Sequence, residues 1–144
     1  MSADTAIFEA ERPGLTALCY RMLGERASAE DAVQDTWLRW QRTDRTRIEN
    51  PRAWLRRTAA RIAIDALRSA RARRETYPGP WLPEPIVESP SLGVEEKFAL
   101  AQECELALLW AMERLSETER AAFILREAFD AGYDEIAAVT GKSE

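Results

Sequence analysis

Twelve arginines fall within residues 39–74 against only Asp44, Glu49 and Asp65, giving this stretch a net charge of +9 inside a chain of net −5. Guanidinium groups at that density suit phosphate oxygens, which they meet as flat forks of N–H donors that stay charged. Trp54 stands among them. An indole beside arginines can stack on an unpaired base, worth about 1–3 kcal/mol per base, and packing in an apolar core is its competing use. A second group has the opposite character. Asp31, Gln34, Asp35 and Leu38 recur at i, i+3, i+4 and i+7, which puts them on one helical face. Such a face is either plain solvated surface or a docking strip for a basic partner helix, with Leu38 adding apolar contact.

Covalent chemistry finds little support. The chain has no histidine, which removes the commonest general base and metal ligand. No glycine-rich phosphate loop and no G-x-S-x-G elbow is present, and nothing marks a pair of carboxylates as catalytic. We therefore expect no catalytic residue, no metal, no cofactor and no small-molecule substrate. Cys19 and Cys104 lie within helical patterns and read as buried, reduced thiols. No apolar run approaches the roughly 20 residues of a membrane span, and the N-terminus lacks the basic start of a signal peptide, so a cytoplasmic protein without membrane contact is expected.

The elements that must hold these residues are helical. A first helix is expected over Thr5–Leu23, with Pro13-Gly14 kinking or restarting it and Gly24 ending it. A second is expected over Ser28–Trp40, opened by Ser28 with Asp31 in place of the usual capping-box glutamate; Val33, Trp37 and Trp40 form its apolar stripe. Gln41–Asn50 reads as a polar, basic loop. Asn50-Pro51 then supplies an N-cap and a first helical residue for a third helix reaching about Arg74, with Leu55, Ala59, Ile62, Ala63 and Ala66 toward a core.

Five of the seven prolines fall within Glu75–Gly93, which cannot be a regular helix and reads as an extended tether. Its Tyr77, Trp81 and Leu82 are unusual for a spacer and suggest docking onto a domain. Val94–Leu115 reads as an amphipathic helix. Ser116 and Glu119 form a capping box for the next, and Tyr133-Asp134 opens a short last helix that Gly141 ends. This second half is acidic, with residues 75–144 carrying net −10. The expected fold is all-α: two small helical domains joined by a proline-rich linker, divided as 1–76, 77–93 and 94–144.

In this order, SAEDAVQDTW, NPRAWL…ARARR, YPGPWLPEP and LSETERAAFILREAFDAGYDEIAAVTGKSE, the segments resemble an extracytoplasmic-function (ECF) sigma factor of bacterial RNA polymerase. The linker motif is similar to that of a subgroup that normally carries a SnoaL-like regulatory domain after sigma region 4. The resemblance implies a three-helix sigma region 2, a region 4 helix-turn-helix, and no enzymatic activity. It implies that Asp31, Gln34, Asp35 and Leu38 bind the β′ coiled coil of the polymerase core. It assigns Asn50, Arg52, Trp54, Arg57 and Arg61 to the −10 element of promoter DNA, with Asn50 either shaping a base pocket or simply capping its helix. By the same resemblance Ser143-Glu144 begins the recognition helix, so region 4 is expected to be incomplete, −35 specificity weak, and a C-terminal regulatory domain missing. Three readings stay open: a promoter-directing sigma subunit; a truncated sigma that occupies core polymerase without initiating; and an unrelated arginine-rich helical scaffold.

Overall fold

A computed structural model describes residues 2–76, 107–108 and 110–141, and all its regular elements are helical. Helix α1 spans Ala3–Leu23, α2 Arg26–Arg42, α3 Pro51–Thr76, α4 Glu117–Phe129 and α5 Tyr133–Thr140; a short 3-10 turn, Arg45–Arg47, joins α2 to α3. The expected docking residues Tyr77, Trp81 and Leu82, the other cysteine Cys104 and most of the Val94–Leu115 helix lie outside the described residues.

Local chemistry sets the ends of these helices. Ser2 caps α1, its hydroxyl accepting the Thr5 N–H at 3.2 Å, and Gly24 closes it at φ 75°. That left-handed backbone strains any residue with a Cβ. Between those ends α1 runs as one helix through Pro13-Gly14, so the chain does not restart there. Both residues face solvent, so the missing N–H and the missing side chain leave no defect in the core, and the turn is braced by the Glu9–Arg12 pair (2.9 Å) and by the Thr16 hydroxyl donating to the Arg12 carbonyl (2.9 Å).

Helix α2 starts two residues before the expected Ser28. Its N-cap is Glu25, and the Ser28 hydroxyl, already inside the first turn, donates to Glu25 Oε2 at 3.0 Å. The reversal at Gly24 leaves no room for a longer connection, so the helix begins as soon as the chain has turned. The Asn50-Pro51 start of α3 is as expected, with Asn50 Oδ1 accepting the Ala53 N–H at 3.2 Å. Ser116 and Glu119 make both bonds of the capping box on α4. Asp130 takes the left-handed conformation after α4 (φ 51°), and Gly141 (φ 72°) ends α5.

Helices α1, α2 and α3 pack on one another, and α4 and α5 lie against α1 and α3. One apolar cluster runs through all of them. Phe8, Leu18, Met22, Val33, Trp40, Leu55 and Leu67 form its larger part, and Ala121, Ile124, Leu125 and Val139 extend it into the C-terminal helices. Each large side chain buried there contributes about 1.5–3 kcal/mol. Phe8 and Trp37 pack at 4.9 Å between ring centres. The Trp40 indole N–H donates to the Asp4 carbonyl at 3.0 Å, so the tryptophan is buried with its one polar atom satisfied. Among the described residues no helix is long and apolar enough to cross a membrane.

Candidate nucleic-acid interface

The end of α2 and the first half of α3 border an open cavity of about 330 Å³, lined by Arg39, Arg42, Thr43, Trp54, Arg57, Thr58 and Arg61. Helical period explains the α3 wall. Trp54, Arg57, Thr58 and Arg61 are spaced three or four apart and so share one face. The α2 wall comes from its last turn, where Arg39 and Arg42 are also three apart. Four guanidinium groups therefore converge beside a half-buried indole. Trp54 packs on Trp40, 5.6 Å between ring centres, and also lines the cavity.

The partners of the arginines sort them by role. Arg45 is fully engaged in structure: it bonds Asp4 Oδ2 at 2.7 Å and the carbonyls of Trp40 and Gln41 at 2.8 and 3.1 Å, fixing the exit from α2. Arg47 pairs with Asp44 and Arg68 with Asp65. By contrast, Arg39, Arg42 and Arg57 make no side-chain hydrogen bond or ion pair with any described residue. Arg61 donates to the Ala138 carbonyl of α5. Uncompensated guanidiniums brought together on a concave surface repel one another, an arrangement that an anionic ligand relieves.

Of the residues expected at a DNA site, Trp54, Arg57 and Arg61 come together here. Asn50 and Arg52 do not line the cavity. The Asn50 side-chain oxygen is taken by its capping bond, and Arg52 is exposed with Glu11 at 3.6 Å. Sequence reading missed Arg39 and Arg42. The available signal was their three-residue spacing at the end of an amphipathic helix, but only the crossing of α2 over α3 reveals which face they share.

The acidic strip lies elsewhere on α2. Asp31, Gln34, Asp35 and Leu38 are all exposed, Leu38 at 37 % although it is a large apolar residue. Asp31 and Asp35 have no ion-pair partner among the described residues. Both also line a groove of about 270 Å³, whose α3 side carries Arg73 and Arg74. Cys19 is buried beneath the helices, its thiol pushed up to about 12 by desolvation, and is chemically inert.

Two family descriptions match the chain in order: Sigma-70 region 2 over residues 7–73 and Sigma-70 region 4 over residues 105–144. The ECF RNA polymerase sigma factor SigJ of Mycobacterium tuberculosis is 44 % identical over 98 % of this chain and 45 % of its own length. The ECF RNA polymerase sigma factor BldN of Streptomyces coelicolor is 34 % identical over 87 % of the chain and 47 % of its own. The crystal structure of the M. tuberculosis SigJ superposes with a TM-score of 0.67 at 38 % identity, over 96 % of this chain and 47 % of that one. The chain thus spans about half the length of the curated relatives it matches. Helices α1–α3 coincide with the region 2 match and α4–α5 with the region 4 match, and the chain belongs to the extracytoplasmic-function sigma factors.

Proposed function

We propose that this chain is a promoter-recognising subunit of bacterial RNA polymerase, working in the cytoplasm. Its α2 strip, Asp31, Gln34, Asp35 and Leu38, docks on the β′ coiled coil of the core enzyme. The cavity between α2 and α3 takes the displaced single strand of the −10 element. The observation that carries this reading is the cavity: three unpaired guanidiniums and a fourth beside a half-buried indole that lines it. The arginines hold phosphates and carry no sequence information, whereas Trp54 stacks on a base taken out of the duplex. The unpaired carboxylates of Asp31 and Asp35 suit a basic partner helix, and the exposed Leu38 completes a small apolar contact. Arg52, outside the cavity but on the same helix, adds a flanking phosphate contact, and Asn50 acts by fixing where α3 begins.

The test is gel filtration with core RNA polymerase. The chain is expected to co-migrate with the core and its Asp35→Arg variant is not. Co-migration of both equally would reject docking through α2. The bound complex should then retain a −10 single strand, and a Trp54→Ala, Arg57→Ala double variant should not.

A further inference from the structure

The last turn of α2 carries two of the four cavity arginines, Arg39 and Arg42. A helix end is a weak mount for them, because its final carbonyls lie beyond the reach of the helix's own N–H groups. Here those carbonyls are supplied from outside the helix. The Arg39 carbonyl receives both the N–H (3.1 Å) and the hydroxyl (2.7 Å) of Thr43. The next two, of Trp40 and Gln41, both accept from Arg45 Nη1, at 2.8 and 3.1 Å. Arg45 thus caps α2 with a side-chain cation, at the end where the helix dipole favours positive charge.

Arg45 is itself held in place. Its Nε donates to Asp4 Oδ2 at 2.7 Å, and its guanidinium lies 5.8 Å from the centre of the Trp40 ring. Asp4 belongs to the first turn of α1, ahead of the Sigma-70 region 2 match, which begins at residue 7. The backbone carbonyl of the same Asp4 accepts the Trp40 indole N–H at 3.0 Å. One residue of α1 therefore holds both the cation that caps α2 and the ring on which Trp54 packs. Asp4, Trp40 and Arg45 do not line the cavity. The Arg45 and Asp4 side chains are 31 % and 43 % exposed, and an ion pair that open adds little to stability.

From this arrangement we infer that Arg45, held by Asp4, is a positioning residue for the DNA-binding cavity. The inference rests on the reading of the α2–α3 cavity as the DNA site, and it names what holds the α2 wall of that site. Four converging guanidiniums repel one another, and the end of α2 is the part that yields most readily to that repulsion. The Arg45 cap keeps the last turn wound, so Arg39 and Arg42 stay aimed at the strand. The Asp4 carboxylate keeps Arg45 on the two carbonyls when phosphates arrive and compete for its guanidinium. Arg45 acts through Arg39 and Arg42, and Asp4 acts through Arg45.

The experiment measures binding of the full chain to a fluorescent, dT-rich single strand of about 12 nucleotides, by anisotropy across a salt series. Arg45→Met should weaken binding about tenfold, the scale of one lost charge-assisted bond. It should also flatten the plot of log affinity against log salt by about 1.4, two phosphate contacts at about 0.7 each and more than its own single charge accounts for. Made in an Arg39→Ala, Arg42→Ala background, the same substitution should change affinity by less than about twofold, because the groups it positions are gone. Asp4→Ala should weaken binding by about threefold, although deleting an acid would by charge alone strengthen it. Its unfolding midpoint should move little, since the pair is exposed. Asp4→Glu keeps the carboxylate and should restore most of the loss. Glu127→Ala makes the same charge change on an exposed face of α4 and should alter affinity by less than about twofold. An Arg45→Met effect of equal size in both backgrounds would overturn the inference, as would tighter binding by Asp4→Ala; either result leaves the DNA site standing. Failure of the unaltered chain to bind the strand even at low salt would overturn the DNA site, and the positioning role with it.

Discussion

Arg120 is the residue on which the junction of the two regions most depends. It is 3 % exposed and makes four hydrogen bonds: to the Met22 carbonyl (2.7 Å), twice to the Met112 carbonyl (2.9 and 3.2 Å) and to Glu113 Oε2 (2.9 Å). Replacing it by methionine keeps most of the volume and removes every donor. The Met22 carbonyl lies in the last turn of α1, beyond the reach of that helix's own N–H groups, so it is left buried and unpaired at a cost of about 1–3 kcal/mol. The Met112 carbonyl keeps the Leu115 N–H at 3.2 Å and loses little. Glu113 keeps Arg74 at 3.0 Å, so its carboxylate is weakened rather than orphaned. The net expectation for Arg120→Met is about 2–4 kcal/mol, below the upper end for breaking a buried pair because one guanidinium remains. In urea that lowers the unfolding midpoint by on the order of 1–2 M. Tryptophan fluorescence and far-ultraviolet circular dichroism should shift together, because the apolar cluster is continuous between the regions. A loss under about 0.5 kcal/mol, or a normal transition in region 2 with region 4 already melted, would refute the reasoning.

Three further expectations follow from the same contacts. Arg57→Ala should weaken single-strand binding and flatten the plot of log affinity against log salt by about 0.7, the share of one phosphate, and an unchanged slope would remove Arg57 from the site. Trp54→Ala should cost about 1–3 kcal/mol in strand binding measured by fluorescence anisotropy, with the salt slope unaltered. Burial pushes the Glu113 carboxyl up, but hydrogen bonds from Arg120 and Arg74 more than reverse this and hold it below its ordinary value of 4.5. Its folded form therefore binds its proton less readily than the unfolded chain does. The stability it lends is present above about pH 4.5 and is lost as pH falls through the lowered value. A pH titration of unfolding should lose that dependence in Glu113→Gln.

The helices and their ends were largely legible because their signals are local. Asn50-Pro51, the Ser116–Glu119 box, Gly24 and Gly141 each act within one turn, and each performs as its residue type requires. Ser28 misled because a serine followed by an acid three residues later is also common inside a first turn; the tight reversal at Gly24 decided the start of α2. Pro13 does not restart the helix because a proline on the solvent side can be carried by a helix whose other face is well packed. The site was half legible. Trp54, Arg57 and Arg61 share a face that periodicity predicts, but Arg39 and Arg42 join them only through a helix crossing. Arg120 gave no warning, since an arginine in a charged amphipathic helix reads as surface, and its burial depends on a carbonyl 98 positions away.

That separation bears on how the protein is made. Translation at about 5–20 residues per second places roughly 5–20 s between the appearance of Met22 at the ribosome and that of Arg120. Through that interval the end of α1 carries a carbonyl with no donor assigned to it, next to apolar surface that Ala121, Ile124 and Leu125 will later cover. The nascent region 2 is thus held short of its final stability until region 4 arrives to finish it. A ribosome stalled between these two points displays the sigma fold at its most vulnerable to chaperones and proteases.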